Sequence, residues 1–376
     1  MIDFQKLPSP CFVLDEQLLD RNLAVIDRVR RESGAEVIVA LKACAMWSIF
    51  PELAQHSDGA TASSLAEARL VFEEFGRPAH TYAPVYTDRN IEEILDCSDH
   101  ITFNSVAQFE RFGQMALLRG ISCGLRINPG YSPVETDLYN PCVPGSRLGI
   151  PAGELKELPA GVEGLHFHVL CESRPEHLRL ALDAVEKRFG RFLDRIKWLN
   201  MGGGHLMTHK DYDCDELIRI LQEFKAKYPN LRLILEPGSA FTWRTGYLVS
   251  TVEDIVENGG VRTAMLDVSF ACHMPDCLEM PYKPAILGAR DPEPGEKGWR
   301  MGGNSCLAGD YYGDWIFDRD LRVGDRIVFE DMIHYTMVKT TMFNGVAHPS
   351  IVIARRDGRT DVIREFGYED FRNRMS

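Results

Sequence analysis

The sequence lacks several features that mark particular classes of protein. It has no apolar run near the ~20 residues of a membrane helix, and Met1–Lys6 lacks the basic and apolar regions of a secretory signal. Its ten cysteines include no C-x-x-C pair and no Cys/His set at zinc spacing. Basic charge is scarce: 42 Lys and Arg face 55 Asp and Glu, a formal net charge of −13. These absences predict a cytoplasmic protein with reduced thiols, no metal, no membrane contact and no nucleic-acid partner, since nucleic-acid phosphates need a basic face.

What is present is the composition of a globular enzyme. The 376 residues are 45% hydrophobic and 26% charged, which is ordinary for a folded protein with an apolar core. That length suffices for one large α/β barrel and a smaller second domain. The acidic balance suits a cationic small-molecule substrate, although many globular proteins are equally acidic.

Short apolar runs alternate with amphipathic segments over the first two thirds of the chain. Helical spacing marks Ser64–Phe75, Pro175–Phe192 and Asp215–Tyr228, and Ser64 with Glu67 is typical of a capping box. The predicted strands are Glu36–Leu41, Gly59–Ser63, His80–Ala83, His100–Phe103, Cys123–Asn128, Val162–Val169, Ile196–Met201 and Leu231–Glu236. Eight β/α repeats predict an α/β fold with a (β/α)8 TIM-like barrel.

The helical rhythm ends near Phe241, which predicts a second, mostly β domain. Turn sequences such as Val323-Gly-Asp325 separate its apolar runs. The predicted strands there are Val261–Val268, Asp325–Glu330, Thr336–Thr341 and Ser350–Arg355. The pattern assigns residues 15–243 to the barrel and residues 244–376 to the β-rich domain, which a strand from residues 1–14 joins.

Residues with useful chemistry fall at the carboxyl ends of the predicted barrel strands, where the active sites of such barrels lie. A lysine amine that is buried away from water at the end of a barrel strand has a lowered pKa and can form a Schiff base. A glycine run lets backbone N–H groups close around a phosphate, and a carboxylate can hold a proton on a heterocycle nitrogen. These three features are what pyridoxal 5'-phosphate requires of a protein. The residues are Lys42, Ser63, Arg126, His168, Gly202, Gly203, Gly204 and Glu236.

Each of these residues also has a plainer interpretation. Lys42 is then a surface lysine beside a strand, and Gly202–Gly204 is only a flexible turn. His166 and His168 share one face of their strand, so one of them can be a packed core imidazole. Glu236 can simply cap a turn. The agreement of all these positions at one end of the barrel favours the cofactor interpretation.

Several motifs make the chain resemble the alanine-racemase-type barrel decarboxylases, which include ornithine, diaminopimelate and carboxynorspermidine decarboxylases. The carboxynorspermidine branch is the most similar: Ser239 stands where ornithine-type enzymes have arginine, and three residues separate Cys306 from Asp310. The motifs are Ala40-Leu-Lys-Ala43, Leu165-His-Phe-His-Val169, Asn200-Met-Gly-Gly-Gly204, Leu235-Glu-Pro-Gly238, Gly302-Gly-Asn-Ser-Cys-Leu-Ala-Gly-Asp310 and His334-Tyr-Thr-Met-Val-Lys-Thr-Thr-Met-Phe-Asn-Gly345.

The resemblance implies roles for residues of the second domain. Cys306 and Asp310 would reach into the active site of a neighbouring subunit, which implies a homodimer with shared active sites. Cys306 would return a proton to the substrate, while Asp276 and Asp310 would bind its distal amines. Tyr335 and Ser239 would lie near the cofactor phosphate. Buried structural thiol and solvated loop acid are the plainer interpretations of Cys306 and Asp276.

The activity implied is α-decarboxylation of carboxynorspermidine or carboxyspermidine to norspermidine or spermidine. Glu236 favours decarboxylation over racemisation, because it keeps the cofactor ring protonated and strongly electron-withdrawing, whereas racemases of this fold place arginine there. It would also face the substrate at the reacting ring, and His168 would stack on that ring. Alternatives are a decarboxylase of ornithine, arginine or diaminopimelate, a non-catalytic cofactor-binding protein, and an amino-acid racemase.

Overall fold

Cys11–Asp15 forms the first strand, β1, and helix α1 (Glu16–Ser33) follows it directly. The structure, a computed structural model, describes residues 2–376. Its contacts divide the chain into two units: one holds the chain up to Arg21 together with Thr242–Ser376, and the other holds Asn22–Phe241. The chain therefore begins in one unit, builds the second without interruption and then returns.

The unit Asn22–Phe241 is a closed barrel of eight parallel strands. Each strand pairs with its neighbour, and the last pairs with the first through Ile234 opposite Glu36 and Leu235 opposite Val37. This closure confirms the predicted barrel. The strands are β2 (Glu36–Ala40), β3 (Gly59–Ala62), β4 (Ala79–Tyr82), β5 (Ser98–Phe103), β6 (Ser122–Asn128), β8 (Val162–His166), β9 (Trp198–Asn200) and β10 (Arg232–Leu235), with a short β7 (Ile150–Pro151) beside β6.

Helices connect these strands, and their starts follow local capping rules. The Ser64 hydroxyl accepts from the N–H of Glu67, whose carboxylate accepts from the N–H of Ser63, so the predicted cap forms. The helix that Pro175 opens packs its apolar side inward. The helices are α2 (Phe50–Leu53), α3 (Leu65–Leu70) with a π-helical turn at Val71–Phe75, α4 (Ile91–Asp96), α5 (Val106–Leu118), α6 (Pro175–Leu193), α7 (Cys214–Lys227) and α8 (Ser239–Thr242).

The indole of Trp198 fills part of the barrel interior. It is 2% exposed, and a Cβ on Gly124 or Gly164 would come within 2.2 or 2.0 Å of its ring. Those two positions must lack a side chain, because a packed interior has no spare volume for one. Small residues on two strands thus accommodate one large residue on a third.

The other unit is a β-sheet built around the long strand β11 (Gly246–Asn258). β11 pairs antiparallel with β1 and with two later strands, and β1 also pairs in parallel with a third. The remaining elements are β12 (Val261–Leu266), α9 (Phe270–His273), α10 (Pro275–Glu279), β13 (Ala289–Arg290), β14 (Trp299–Gly302), β15 (Tyr311–Phe317), β16 (Arg326–Glu330), α11 (Tyr335–Val338), β17 (Ser350–Ala354), β18 (Thr360–Arg364) and α12 (Tyr368–Met375). Among the described residues, no helix is long and apolar enough to cross a membrane.

The prediction of a strand at Thr336–Thr341 is wrong. This stretch begins inside helix α11, where Lys339 donates its N–H to the carbonyl of Tyr335. Thr336 is fully buried, and Thr341 donates to the carbonyl of Cys272. Packing of a short helical turn has overridden the strand preference of the β-branched residues.

Candidate active site

Lys42 lies in a tight turn directly after β2, at the carboxyl end of the barrel. Leu41 continues the strand by donating to the carbonyl of Thr61, and Ala43 then turns back to bond the carbonyl of Ala40. Leu41 and Ala43 are both fully buried. The turn therefore holds the lysine backbone firmly, and its side chain is presented at the barrel mouth.

His168 contacts the Lys42 amine, and its other nitrogen is held by the glycine loop. The N–H of Gly203 donates to Nδ1 of His168 at 3.0 Å. A neutral imidazole whose Nδ1 accepts carries its proton on Nε2. That Nε2 lies 3.3 Å from Nζ of Lys42, so it donates to the lone pair of an uncharged amine. The uncharged form is the nucleophilic form of lysine.

The electrostatics agree with an uncharged Lys42. Burial lowers its pKa below the ordinary value of 10.5, and the positive charge of Arg126 adds to the effect, while Glu236 opposes it. Burial also takes the pKa of His168 well below 6.5, helped by the nearby Lys42 and Arg126. Both shifts favour the neutral form of each nitrogen base.

Glu236 lies at the end of β10 with both carboxylate oxygens engaged. Oε1 accepts from the side-chain amide of Asn200 at 2.7 Å, and Oε2 lies 3.5 Å from Nε2 of His166. Burial alone would raise its pKa, but His166, the Asn200 hydrogen bond and Lys42 together lower it to about 2. The site thus holds a buried, ionised carboxylate close to a neutral amine.

The glycine loop packs against the neighbouring strand ends too closely for any side chain. A Cβ on Gly202 would lie 2.6 Å from the carbonyl oxygen of Phe167, and one on Gly203 would lie 2.4 Å from that of Glu236. The N–H of Gly202 donates to Asn200, as that of Gly203 does to His168. Two of the three N–H groups predicted to cradle a phosphate are thus used within the protein.

The other predicted residues of the barrel occupy different surroundings. Arg126 is 4% exposed; it donates to the carbonyl of His168 at 3.2 Å and lies over the ring of Tyr82, 4.7 Å from its centre. Ser63 is exposed and uses its N–H for the helix cap. Ser239 opens helix α8 and is half-buried.

In the other unit, Cys306 and Asp310 belong to one loop. Cys306 is exposed, and its N–H donates to the side chain of Asn344 at 2.8 Å. Asp310 is 4% exposed, and its carboxylate accepts the N–H groups of Ala271 and Ser305, each at 3.0 Å. The Asp310 carboxylate therefore ties this loop to the start of helix α9.

Asp276 and Glu279 share a cation within their own unit. The Nζ of Lys339 bonds both carboxylates. The side chain of Asp276 is 14% exposed and that of Glu279 is 53% exposed, so the pair lies at a surface. Tyr335 is half-buried in helix α11, near the ring of His334.

Sequence reasoning missed three residues of these sites, namely Asn200, Tyr82 and Lys339. Asn200 ends β9 and Tyr82 ends β4, so the strand-end rule that identified Glu236 also points to them. Lys339 follows helix α11, and nothing in its local sequence pairs it with acids some 60 residues earlier.

Comparison with known proteins gives full-length matches. A family model described as pyridoxal-dependent decarboxylase, C-terminal sheet domain, matches residues 11–333. A carboxyaminopropylagmatine decarboxylase from Synechocystis sp. is 55% identical over 98% of this chain and 96% of its own. A carboxynorspermidine/carboxyspermidine decarboxylase from Campylobacter jejuni is 40% identical over 98% of each chain.

A solved structure agrees with these matches. The crystal structure of carboxynorspermidine decarboxylase complexed with norspermidine, from Campylobacter jejuni, has a TM-score of 0.90 and 38% identity, covering 98% of this chain and 100% of that one. The matched region includes Lys42, Glu236 and Cys306. The chain belongs to the pyridoxal-dependent decarboxylases.

Proposed function

We propose that this enzyme removes the α-carboxyl group of a carboxylated polyamine, with pyridoxal 5'-phosphate as its cofactor. The proposal rests chiefly on Glu236, a buried carboxylate whose pKa is about 2 and which lies close enough to the Lys42 amine for each group to shift the pKa of the other. An ionised acid in such a place needs a cationic partner. A protonated pyridine nitrogen supplies one.

The residues of the barrel mouth fit this cofactor. His166 is 2% exposed, and neither of its ring nitrogens has a hydrogen-bond partner in the described structure, as expected beside a polar group that completes the site. The glycine loop packs so closely against backbone that no Cβ fits there. When bound, pyridoxal 5'-phosphate withdraws the electron pair left on the α-carbon as carbon dioxide departs.

The chain's own residues divide the remaining work. Lys42 is the attachment point, and its uncharged amine needs no external base to react. Glu236, held by Asn200 and by the nearby His166, keeps a proton on the ring nitrogen. His168 would cover the face of the ring. Each group is fixed by neighbours before the cofactor arrives, which is the form of preorganisation that makes electrostatic catalysis efficient.

Phosphate binding would fall to the glycine loop and to nearby hydroxyl and cationic groups. Gly204 and Ser239 follow the neighbouring strands β9 and β10, and Ser63 follows β3 at the same end of the barrel. Arg126 would supply positive charge, and Tyr335 would lie near the phosphate, as the matching tyrosine does in the decarboxylases that this chain resembles. Because Gly202 and Gly203 donate their N–H groups within the protein, the hydroxyls and Gly204 carry more of this role than a bare glycine cradle would.

We further propose that the working unit is a homodimer in which each active site uses Cys306 from the partner copy. Cys306 is exposed on its loop, as a residue that completes another subunit's site must be. It would return a proton to the α-carbon after carbon dioxide has left. The carboxylate of Asp310 accepts two backbone N–H groups. It would therefore hold this loop in shape as well as meet the substrate.

The cations of a polyamine tail call for a pair of acids that a substrate can reach. Asp276 and Glu279 are such a pair, and they already bind one cation, the Lys339 ammonium. A substrate ammonium that displaced or joined Lys339 there would gain a charge-assisted hydrogen bond. This supports carboxynorspermidine and carboxyspermidine as substrates, because each has an amino-acid head and a tail that carries further amines.

A second candidate substrate is carboxyaminopropylagmatine. The Synechocystis relative, which is 55% identical to this chain, is named as a decarboxylase of that compound. It would present a guanidinium in place of a terminal ammonium. A planar guanidinium bonds carboxylates through two parallel N–H groups, and the Asp276–Glu279 pair offers two carboxylates side by side. Both kinds of candidate carry an amino-acid head, and they differ in the terminal cation.

Steady-state kinetics test the proposal directly. Release of carbon dioxide should be measured from carboxynorspermidine, carboxyspermidine, carboxyaminopropylagmatine, ornithine and diaminopimelate under one set of conditions. We expect kcat/KM for the best carboxylated polyamine to exceed that for ornithine or diaminopimelate by at least about a hundredfold. One methylene between the polyamines should decide only about 10–200-fold.

Three results would contradict this function. The first is a higher kcat/KM for ornithine, arginine or diaminopimelate than for any carboxylated polyamine, which would make this a decarboxylase of simple basic amino acids. The second is loss of optical activity from an amino acid without release of carbon dioxide, which would make it a racemase. Absence of any turnover alongside cofactor binding would identify a non-catalytic member of the fold.

A further inference from the structure

Two histidines lie side by side at the end of the barrel opposite Lys42. His80 is the second residue of β4 and His100 the third residue of β5. They are register partners on these neighbouring parallel strands, and their rings stack with centres 3.9 Å apart and an angle of 25° between the ring planes. Lys42 follows the carboxyl end of β2, so this pair is remote from the active site.

A carboxylate completes the group. Oδ1 of Asp99 lies 2.8 Å from Nδ1 of His100 and 3.8 Å from Nε2 of His80. Donor atoms of these three residues all lie within 4.8 Å of one another. In a tetrahedral zinc site, with bonds of about 2.1 Å, donor atoms stand about 3.4 Å apart. The two distances from Oδ1 of Asp99, 2.8 and 3.8 Å, lie on either side of that value.

The ligand types also suit a metal ion. Two imidazoles and one carboxylate are ligands that zinc and its neighbours in the transition series favour.

Surrounding residues support the two histidine rings without competing for the ion. The indole of Trp198 packs edge-on against His100, with ring centres 5.6 Å apart. Glu36 is already held by Arg232 through two bonds of 2.7 and 2.8 Å. Glu163 likewise pairs with Lys197 and Ser122. The carboxylate left for an ion is Asp99, whose side chain is half-exposed, so an ion can enter from solvent.

We propose that His80, His100 and Asp99 form a binding site for a divalent transition-metal ion such as Zn²⁺, with water in the fourth position. The ion would take the place of the proton between Nδ1 of His100 and Asp99, and that proton would move to Nε2 of the same ring. Because the ligands come from adjacent strands, the ion would hold β4 and β5 together at the end of the barrel opposite Lys42. The site does not depend on the decarboxylase activity.

Metal binding to the full-length, cofactor-loaded enzyme tests the proposal. Zn²⁺ binding is measured by equilibrium dialysis, and Co²⁺ is used as a probe because its visible absorption reports nitrogen and oxygen ligands. Wild type should bind one Zn²⁺ per chain more than the double variant His80→Gln/His100→Gln, and the melting temperature should rise with Zn²⁺ in wild type alone. Every variant keeps the exposed cysteines, whose thiols can also bind Zn²⁺. The difference in bound Zn²⁺ between wild type and the double variant therefore measures binding at the His80–His100–Asp99 site alone.

Two further variants keep the test decisive if the double variant folds poorly. Asp99→Asn alters a half-exposed side chain and leaves the ring stack in place; it should weaken Zn²⁺ binding by about tenfold or more. His56→Gln is the matched control, since His56 makes an equivalent 2.8 Å contact with Asp27 but has no second histidine; it should bind as wild type does. Equal Zn²⁺ binding by wild type, Asp99→Asn and the double variant would overturn the proposal.

Discussion

The hydrogen bond between His168 and Lys42 sets the chemical state of the amine that the reaction needs. Its direction is fixed by a third group, the N–H of Gly203, which occupies Nδ1 of the ring. Nε2 must therefore donate, and only an uncharged amine can accept. Reactivity at Lys42 thus depends on a backbone group some 160 residues away in sequence.

This arrangement predicts how Lys42 titrates in the cofactor-free enzyme. Labelling of Lys42 by an amine-specific reagent, followed by mass spectrometry over a pH series, should show a midpoint below the ordinary 10.5. His168→Ala should move that midpoint upward, because the donor to the amine is lost, and His168→Asn should partly restore it. The exposed Lys6 serves as the internal reference. Identical midpoints for Lys42 and Lys6 would contradict the assignment.

The ionised state of Glu236 makes a prediction about acid stability. Its pKa is about 2 in the folded protein against 4.5 in the unfolded chain. The folded state therefore binds fewer protons between these values, so the carboxylate stabilises the fold fully above about pH 4.5, and this stabilisation is lost as the pH falls toward about 2. Glu236→Gln in the cofactor-free protein should cost about 1–3 kcal/mol near neutral pH.

Urea unfolding of both proteins from about pH 7 to about pH 3 measures the effect as a difference. The gap in unfolding free energy should narrow as the pH falls, because the unfolded wild-type chain takes up a proton at Glu236 that the folded protein, with its pKa of about 2, does not. Acid effects from other carboxylates cancel in the difference. A gap that stays constant over the whole range would show that the glutamine loses packing rather than charge.

At the scale of elements, close approach of backbone segments decides where glycine is required. The loop Gly202–Gly204 runs against the ends of β8 and β10, and the carbonyl of Glu236 occupies the space a Cβ of Gly203 would need. Helix α6 contains Gly190, around which nothing lies within 4 Å of an added Cβ. Close packing therefore requires glycine at position 203 of the loop, whereas nothing around helix α6 requires it at position 190.

Two matched substitutions test this distinction. Gly203→Ala should destabilise the protein by about 1–3 kcal/mol, since backbone must shift to admit the methyl group. Gly190→Ala should stabilise it by about 1 kcal/mol, because alanine is the better helix former and meets no neighbour. Chemical denaturation of the cofactor-free proteins gives both values. Equal changes at the two positions would contradict the steric explanation.

Strand register at this scale also places residues that no local pattern connects. His80 and His100 face each other because β4 and β5 pair with that offset. A one-residue slip would put the two side chains on opposite faces of the sheet. The strands that precede Lys42, His168 and Glu236 are brought together by other pairings, of β2 with β10 and of β9 with both β8 and β10.

At the scale of the whole molecule, the proposed dimer divides each active site between two copies of the chain. Inactive Lys42→Ala and Cys306→Ala enzymes, mixed and reassociated, should recover about a quarter of wild-type activity, because half the dimers are mixed and each has one intact site of two. Decarboxylation rate against time after mixing measures the recovery.

A control separates shared sites from other effects of mixing. Lys42→Ala mixed with His168→Ala should recover nothing, since both residues belong to the same barrel and no mixed dimer then has an intact site. Activity in that control, or its absence in the first mixture once mixed dimers are shown to form, would rule out exchange of Cys306 between copies.

Much of the fold was predictable from the sequence, because hydrophobic periodicity and strand-end chemistry are local properties. The eight barrel strands, the cap at Ser64 and the position of Lys42 all follow from residues close together in the chain. The stretch Thr336–Thr341 was not predictable, since its β-branched residues favour a strand in isolation, whereas the folded chain makes a helical turn there and Thr341 bonds the carbonyl of Cys272.

The sequence alone determined which chemistry is available: an amine, a carboxylate and a glycine loop, each at the end of a buried strand. Tertiary structure alone decided their partners, because those partners are distant in sequence and meet only when the barrel closes or a strand takes its register. Gly203 sets the tautomer of His168, Lys339 neutralises Asp276, and β4 brings His80 against His100. A local pattern carries no information about such contacts, since the free energy that fixes them comes from packing the whole unit.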